Sequence, residues 1–280
     1  MERLFVSPDA ASGYRAAGIW GDLTLYERFA GQAAKAPQKL AIVDGEDRYS
    51  YGRLVGLVDR LATHWLKLGI GPGEVVAVQV PNGVELPLAH LALNRIGALC
   101  MPIHDSWREA EVGHVLRRGR AVAAVVPFEY RGFDYPGMLA GLRGTLPELR
   151  QVFSVGGAGA ESSAFEALLE EVAVDAKALQ ARRPDPDEPG ALMLSSGTTS
   201  MPKISVFSSN NIHALVNAFA RAIRFVPDDV AAALAPAGTG SIGYCYPILT
   251  PLLHGGATAI LERWEPEDGI ALIREHRCTY

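Results

Sequence analysis

The sequence predicts an α/β fold in which open, mostly parallel sheets are flanked by helices in βαβ units. Short, almost continuous apolar runs at 75–80, 98–103 and 121–126 are typical of parallel strands that are buried on both faces. Segments with helical periodicity separate these runs, near 85–96 and 109–117. This alternation of strand and helix indicates right-handed crossovers within one sheet.

The segment before these strands predicts an N-terminal arm, two helices and a β-hairpin. Residues up to about Trp20 show no regular periodicity and indicate an irregular arm. Apolar residues recur at helical spacing over 23–35 and again over 52–68. Between these helices, short stretches at 41–43 and 48–51 flank a turn rich in Asp and Gly, and therefore predict a hairpin.

The segment after the third parallel strand predicts a change of organisation. A strand is expected at 152–155 and a helix at 165–180. A connector rich in Pro and Asp follows at 182–190. We therefore expect residues 1–181 to form the first α/β subdomain of a large N-terminal domain, and residues 182–280 to begin a second, incomplete subdomain.

The composition excludes several classes of protein. The 280 residues are 49% hydrophobic and 20% charged with a formal net charge of −5, so a broad basic face for nucleic acid is not expected. No apolar run reaches the roughly 18–20 residues that span a bilayer, and the first residues show no secretory pattern. Cys100, Cys245 and Cys278 are far apart, which favours a reducing cytoplasm over a disulfide framework or a zinc site.

A cluster of hydroxyl residues follows an apolar strand predicted at 191–194. Five hydroxyl residues, one Gly and one Lys fall within nine positions: Ser195, Ser196, Gly197, Thr198, Thr199, Ser200, Met201, Pro202 and Lys203. Backbone N–H groups around a Gly, hydroxyls and a lysine ammonium are the donors that bind a polyphosphate. The GxxxxGK[ST] spacing of a Walker loop is absent. On composition alone, a polar surface loop explains the cluster equally well.

Residues 194–203 resemble the signature loop of the adenylate-forming superfamily, which includes acyl- and aryl-CoA synthetases, luciferases and peptide-synthetase adenylation domains. Ser200 departs from the pattern, because it replaces a usual glycine. The resemblance extends through 68–78 and 249–261 and covers nearly the whole chain. The stretch 14–21 is similar to the branch that activates aryl acids.

The resemblance implies the N-terminal domain of an AMP-forming ligase that uses ATP and Mg²⁺. The intact enzyme would convert a small carboxylic or aryl acid into an acyl-adenylate with release of pyrophosphate. It would then transfer the acyl group to an amine or to a thiol, such as CoA or a carrier protein. The residues implied in binding ATP are Ser195, Ser196, Gly197, Thr198, Thr199, Ser200 and Lys203. Thr198, Thr199 and Lys203 are the catalytic candidates, because they would stabilise the leaving pyrophosphate.

A second segment, 234–244, is similar to the part of these enzymes that binds the acid. Thr239, Gly240 and Ser241 are therefore candidates for binding the substrate. Thr239 stands where the family usually has His, and Gly240 where the aryl-acid branch has Asn. A structural, glycine-rich turn is the alternative. Three histidines show no metal-ligand spacing and are more simply surface or core residues: His213, His254 and His276.

The family's later motifs are expected beyond Tyr280, and would bind adenine, magnesium and ribose and supply a catalytic Lys. The chain alone is therefore not expected to turn over, and its uncovered sheet surface would favour a homodimer. Two alternatives stay open: a relative that adenylates nitrite to form diazo groups, and a non-catalytic nucleotide-binding scaffold. A Rossmann-type oxidoreductase is disfavoured, because no GxGxxG follows the first strand.

Overall fold

The structure is a computed structural model that describes residues 6–195 and 201–280. Its helices are α1 (Pro8–Ala16), α2 (Leu25–Lys35), α3 (Tyr51–Lys67), α4 (Glu85–Arg95), α5 (Glu109–Gly119), α6 (Tyr135–Leu142), α7 (Ala176–Ala181), α8 (Ser209–Ala222), α9 (Thr250–His254) and α10 (Pro266–Glu275). Its strands are β1 (Leu40–Asp44), β2 (Asp47–Ser50), β3 (Val75–Val78), β4 (Leu99–Pro102), β5 (Ala121–Pro127), β6 (Glu129–Tyr130), β7 (Phe133–Asp134), β8 (Gln151–Val155), β9 (Ser163–Ala164), β10 (Pro189–Ser195), β11 (Lys203–Ser208), β12 (Val230–Ala233) and β13 (Ala257–Ile260).

The larger sheet has seven strands in the order β11-β10-β4-β3-β5-β8-β9. Its neighbouring strands are parallel, except that β11 is antiparallel to β10. Every residue of β3, β4 and β5 is buried, as the continuous apolar runs predict. The predicted order of strands and helices in this region is therefore confirmed.

The smaller sheet has four strands in the order β12-β13-β1-β2. The β1–β2 hairpin is antiparallel, as the sequence predicts, and β13 is parallel to both β1 and β12. Both sheets contain strands from either side of residue 181. The subdomain boundary between 181 and 182 stays a prediction.

Two apolar cores form because side chains alternate between the faces of the large sheet. Val76 and Val78 point into a core that also contains side chains of the small sheet and of α2, α3 and α4. Val75 and Ala77 point to the opposite face, where α5 and α6 cover the sheet. Helices α3 and α4 therefore lie between the two sheets. None of the described helices is long and apolar enough to cross a membrane.

Two predicted segments differ from the structure. The expected irregular arm contains α1, which begins after Ser7, whose Oγ accepts a hydrogen bond from the Ala10 amide at 3.3 Å. Ser followed by Pro at the first helical position is a start signal that apolar periodicity alone does not detect. The helix expected at 165–180 is also wrong, because Glu166–Leu169 forms a short 3₁₀ turn and a separate helix begins only at Ala176. Asp175 caps that helix and interrupts the pattern.

The hydroxyl of Tyr51 links the hairpin region to the segment before β13. It lies 3.0 Å from the Pro251 carbonyl oxygen and 2.8 Å from that of Gly256, and the side chain is 1% exposed. We expect Tyr51→Phe to lower the free energy of unfolding by about 1–2 kcal/mol, because two buried carbonyls then lose a donor. Urea denaturation measures this change.

Tyr49→Phe is the matched control for Tyr51→Phe. Tyr49 is 9% exposed, and its hydroxyl makes no hydrogen bond to any residue that the structure describes. The control should change the free energy of unfolding by less than about 0.5 kcal/mol. Equal losses in the two variants would contradict the assigned role of the Tyr51 hydroxyl.

Candidate functional site

The predicted phosphate loop follows a strand that ends at the carboxyl edge of the large sheet. Strands β3, β4, β5 and β10 run in parallel, so the loops after them emerge at the same edge. Ligands of open α/β sheets bind at this edge. Ser195 ends β10 and Lys203 begins β11, and the two residues are direct cross-strand partners. The predicted loop is therefore the connection of a hairpin, with both of its ends at the carboxyl edge.

The structure places only part of the predicted ATP site. Ser195 and Lys203 are exposed at the two ends of the hairpin connection. Ser196, Gly197, Thr198, Thr199 and Ser200 lie outside the described residues, so their roles stay predictions.

His104 lies at the same edge, after strand β4. Ala191 of β10 pairs with Cys100 of β4, and both Ser195 and His104 lie four residues further along (195 − 191 and 104 − 100). The histidine therefore neighbours the end of β10 that leads into the predicted phosphate loop. His104 is not among the site residues predicted from the sequence, although a polar residue shortly after a buried parallel strand is a usable signal.

The His104 ring is held by its Nδ1 atom. This atom lies 2.9 Å from Asp105 Oδ1, 2.9 Å from Ser106 Oγ and 3.1 Å from the Ser106 amide nitrogen. One ring nitrogen cannot both donate to the carboxylate and accept from the amide. Burial raises the pKa of Asp105, but the hydrogen bond and charge of His104 outweigh it, so that this pKa lies below its usual value. Of these two alternatives, a hydrogen bond to the ionised carboxylate of Asp105 is charge-assisted and is the stronger.

We use the term acid-side turn for residues 235–241, which contain the three predicted substrate-binding residues. Ala237–Thr239 forms one turn of 3₁₀ helix, and a π-helix begins at Ser241. Thr239 is exposed, and its Oγ1 donates a hydrogen bond of 2.6 Å to the Pro236 carbonyl. Gly240 has a φ of +72°, a conformation that favours glycine. Thr239 and Gly240 thus have local structural roles in addition to any contact with substrate.

The acid-side turn lies directly against the end of β4. A Cβ atom added to Gly238 would lie 2.4 Å from His104 Cα and 2.6 Å from its amide nitrogen, which is closer than real contacts allow. Glycine is therefore required for this close approach of two backbones. The turn also contacts β10. The structure consequently brings the acid-side turn, His104 and the base of the Ser195–Lys203 hairpin to one edge.

A buried polar pair anchors the π-helix that follows the acid-side turn. His90 Nδ1 on α4 lies 2.9 Å from Tyr244 Oη, and both residues are 0% exposed. Burial lowers the pKa of His90 to about 4 and raises that of Tyr244 well above its usual value. Both groups are therefore uncharged at neutral pH, which makes their burial tolerable.

Of the three histidines considered in the sequence, His213 lies close enough to His254 for their charges to interact. His254 Nδ1 lies 2.9 Å from the Thr250 carbonyl, and His276 lies beside Glu275. Burial, reinforced by the charge of Arg28, lowers the pKa of His213 to about 4. Within residues 6–195 and 201–280, no group of three or more His, Cys, Asp or Glu side chains is placed to hold a metal ion.

The fold defines an α/β protein with an open, mostly parallel sheet, and comparison with known proteins identifies the family. The chain belongs to the family of AMP-binding enzymes, whose pattern matches residues 29–280. It is 35% identical over 284 residues to the salicyl-AMP ligase/salicyl-S-ArCP synthetase of Mycobacterium tuberculosis (strain ATCC 25618 / H37Rv), covering 97% of this chain and 48% of that protein. It is 30% identical over 269 residues to the medium-chain fatty-acid–CoA ligase of Escherichia coli (strain K12), covering 96% and 47%.

The solved structures agree with this assignment. The apo structure of MbtA from Mycobacterium smegmatis is 30% identical and superimposes with a TM-score of 0.86, covering 98% of this chain and 50% of that chain. The chain spans about half the length of the curated relatives it matches. The resemblance inferred from residues 194–203 is therefore confirmed.

The contact between Gly238 and His104 leads to a stability prediction. We expect Gly238→Ala to lower the free energy of unfolding by about 1–3 kcal/mol, because the added methyl group meets backbone atoms that cannot rotate away. Gly56→Ala on the exposed face of α3 is the control, since a Cβ there meets nothing within 4 Å. It should stabilise the protein by about 0.5–1 kcal/mol. Urea denaturation of both variants measures the difference, and similar values would contradict the close packing.

The buried state of His90 leads to a pH prediction. Because its native pKa of about 4 lies below the unfolded value of about 6.5, the unfolded chain binds a proton that the native protein excludes. This contribution to stability is complete above about pH 6.5 and is lost as the pH falls towards 4, by about 2 kcal/mol at pH 5.

His90→Gln isolates this contribution, because Gln does not titrate and its amide can still hydrogen-bond the Tyr244 hydroxyl. Urea denaturation at pH 8 and pH 5 should show a smaller loss of stability in the variant than in the original protein. Other titrating groups act alike in both proteins and cancel in the comparison. Identical pH dependence in the two proteins would refute the neutral, buried His90.

Proposed function

We propose that this chain provides the phosphate-binding and acid-binding parts of an ATP-dependent, AMP-forming acid ligase. A carboxylate oxygen attacks the α-phosphorus of ATP, the bond from that phosphorus to the bridging oxygen of the β-phosphate breaks, and pyrophosphate leaves with the bonding electrons. The product is an acyl-adenylate. The observation that carries the proposal is the convergence of the Ser195–Lys203 hairpin and the acid-side turn at one sheet edge, in a member of the AMP-binding family.

The Ser195–Lys203 hairpin is proposed to hold the phosphates of ATP. Lys203 would place a full positive charge at the base of the loop, and Thr198 and Thr199 would donate hydroxyl hydrogen bonds to the same group. Such donors stabilise the negative charge that develops on leaving pyrophosphate. Positioning and charge neutralisation are the main requirements of displacement at phosphorus, so this role needs no side-chain base.

The acid-side turn is proposed to bind a small carboxylic or aryl acid through Thr239, Gly240 and Ser241. One relative is named for salicylate and another for medium-chain fatty acids, so the range of acids in the family is wide. The acyl group would then pass to an amine or to a thiol, such as CoA or a carrier protein. We also propose a cytoplasmic location, in keeping with three free cysteines, of which Cys100 and Cys245 are buried.

Magnesium would neutralise phosphate charge in such an enzyme. The described residues offer no group of three or more acidic or other ligating side chains for it, so the proposal assigns no ligand and no step to the metal.

Two measurements test the proposed function. Calorimetry with ATP tests binding, and acid-dependent exchange of labelled pyrophosphate into ATP tests adenylation. Both are run on the 280-residue chain and on the complete product of its reading frame, with a panel of aryl acids, fatty acids and nitrite. Exchange with a carboxylic acid supports the ligase. Exchange with nitrite alone supports the diazo-forming alternative, binding without exchange supports the scaffold, and the absence of both refutes all three.

Lys203→Ala tests the phosphate role directly. We expect the rate of pyrophosphate exchange to fall roughly 10- to 100-fold, because one charge-assisted hydrogen bond to phosphate is lost. Lys67→Ala, which removes an exposed lysine at the end of α3, is the matched control and should leave the rate unchanged. A Lys203→Ala rate equal to that of the control would show that the assignment is wrong.

A further inference from the structure

Asn82 joins three loops at the carboxyl end of β3. Its Nδ2 donates hydrogen bonds to the carbonyl oxygens of Ala235, at 3.1 Å, and Leu261, at 3.0 Å. Its Oδ1 accepts a hydrogen bond of 2.7 Å from the Ala237 amide. The side chain is 6% exposed. One buried amide therefore ties the loop after β3 to the loops that follow β12 and β13.

The orientation of this amide is fixed by its partners. Two carbonyl oxygens require the NH₂ group, and one backbone N–H requires the oxygen atom. A flipped amide would place oxygen against two oxygens and NH₂ against an N–H, so only one orientation is possible. Asn is also the one residue type of this size that offers two donors and an acceptor in a planar group. Asn82 thereby sets the distance and direction of the acid-side turn relative to β3.

Two of the three partners of Asn82 belong to the acid-side turn itself. Ala235 and Ala237 lie within three residues before Gly238, whose backbone lies against His104. A second amide on the same strand end, Gln79, donates to the carbonyl oxygens of His104, at 3.0 Å, and Trp107, at 2.9 Å. Gln79 and Asn82, which follow β3 and are three residues apart, thus fix both sides of the Gly238–His104 contact.

We propose that Asn82 is the positioning residue of the acid site: it holds the acid-side turn against β4 and so determines where Thr239, Gly240 and Ser241 meet the substrate. Asn82 itself does not touch the reacting atoms. The functional part of this inference rests on the proposed acid ligase, whereas the positioning of the turn does not.

Asn94 provides a matched control within the same chain. It is 1% exposed and also bonds through its amide, accepting from the Tyr26 amide at 3.0 Å and donating to Ser209 Oγ at 3.0 Å. Its partners lie on α2 and α8, outside the acid-side turn. Asn82→Leu and Asn94→Leu therefore each remove a side-chain amide from a buried position, and each deprives a different backbone amide of its acceptor.

Hydrogen exchange of the full chain, measured under conditions where circular dichroism shows all proteins folded, tests the positioning. In Asn82→Leu, peptides that cover 235–241 should exchange roughly 10-fold faster or more, because the Ala237 amide loses its acceptor. In Asn94→Leu, the increase should appear at the start of α2 instead. Unchanged exchange over 235–241 in Asn82→Leu, or an equal increase there in Asn94→Leu, overturns the proposal.

Steady-state pyrophosphate exchange tests the functional part. Asn82→Leu should raise KM for the acid roughly 10-fold with little change in KM for ATP, whereas Asn94→Leu should change neither. Equal changes in both constants would reduce Asn82 to a structural residue. If the original protein shows no exchange activity with any acid, the proposed function fails, and hydrogen exchange still decides whether Asn82 positions the turn.

Discussion

Burial of the large sheet on both faces is the constraint on which the rest of the structure depends. Because β3, β4 and β5 carry apolar side chains on alternate sides, each face must be covered. Helices α5 and α6 cover one face, while α3 and α4 cover the other and pack in turn against the small sheet. Burial of each large side chain in these cores stabilises the fold by about 1.5–3 kcal/mol. Moving a strand would sacrifice several such contributions, and an edge loop does not supply that much free energy. The parallel carboxyl ends are consequently a rigid base for the loops above them.

The local elements were predictable because their signals lie within a few residues of each other. The apolar run at 75–80 and the helix at 52–68 appear in the structure close to their predicted limits. The pairing of β10 with β4, and of β13 with β1, joins segments far apart in sequence, and no local pattern encodes it. The helix expected at 165–180 failed for a different, local reason, since the capping residue Asp175 lies inside the apolar pattern and begins a separate helix there.

In the candidate site, too, features with local signals were predictable, and contacts between distant segments were not. The hydroxyl-rich composition of 195–203 left a phosphate loop and a polar surface loop equally open, and only the resemblance to a family, which the comparisons confirm, favoured the phosphate loop. His104 was not predicted, because its place in the site depends on a backbone contact with Gly238, which is 134 positions later in the chain (238 − 104). The family pattern predicts an imidazole at position 239, but this residue is Thr239, whose hydroxyl donates a hydrogen bond within its own turn. His104, which follows strand β4 and contacts Gly238 of that turn, provides an imidazole at this edge.

The polar groups at the end of β3 explain how a rigid base can hold loops of irregular backbone. Where regular pairing ends, carbonyl oxygens lose their partners while remaining inside the protein, and each unpaired group would cost about 1–3 kcal/mol. Asn82 donates to two carbonyl oxygens of this kind, and Gln79 donates to those of His104 and Trp107, which also accept from the Trp107 amide and from Arg108 Nη1. The arrangement is not free of cost, because Gln79 Oε1 is itself buried without a partner among the described residues. The two amides nevertheless link both loops to the end of β3, where the sheet's own hydrogen bonds end.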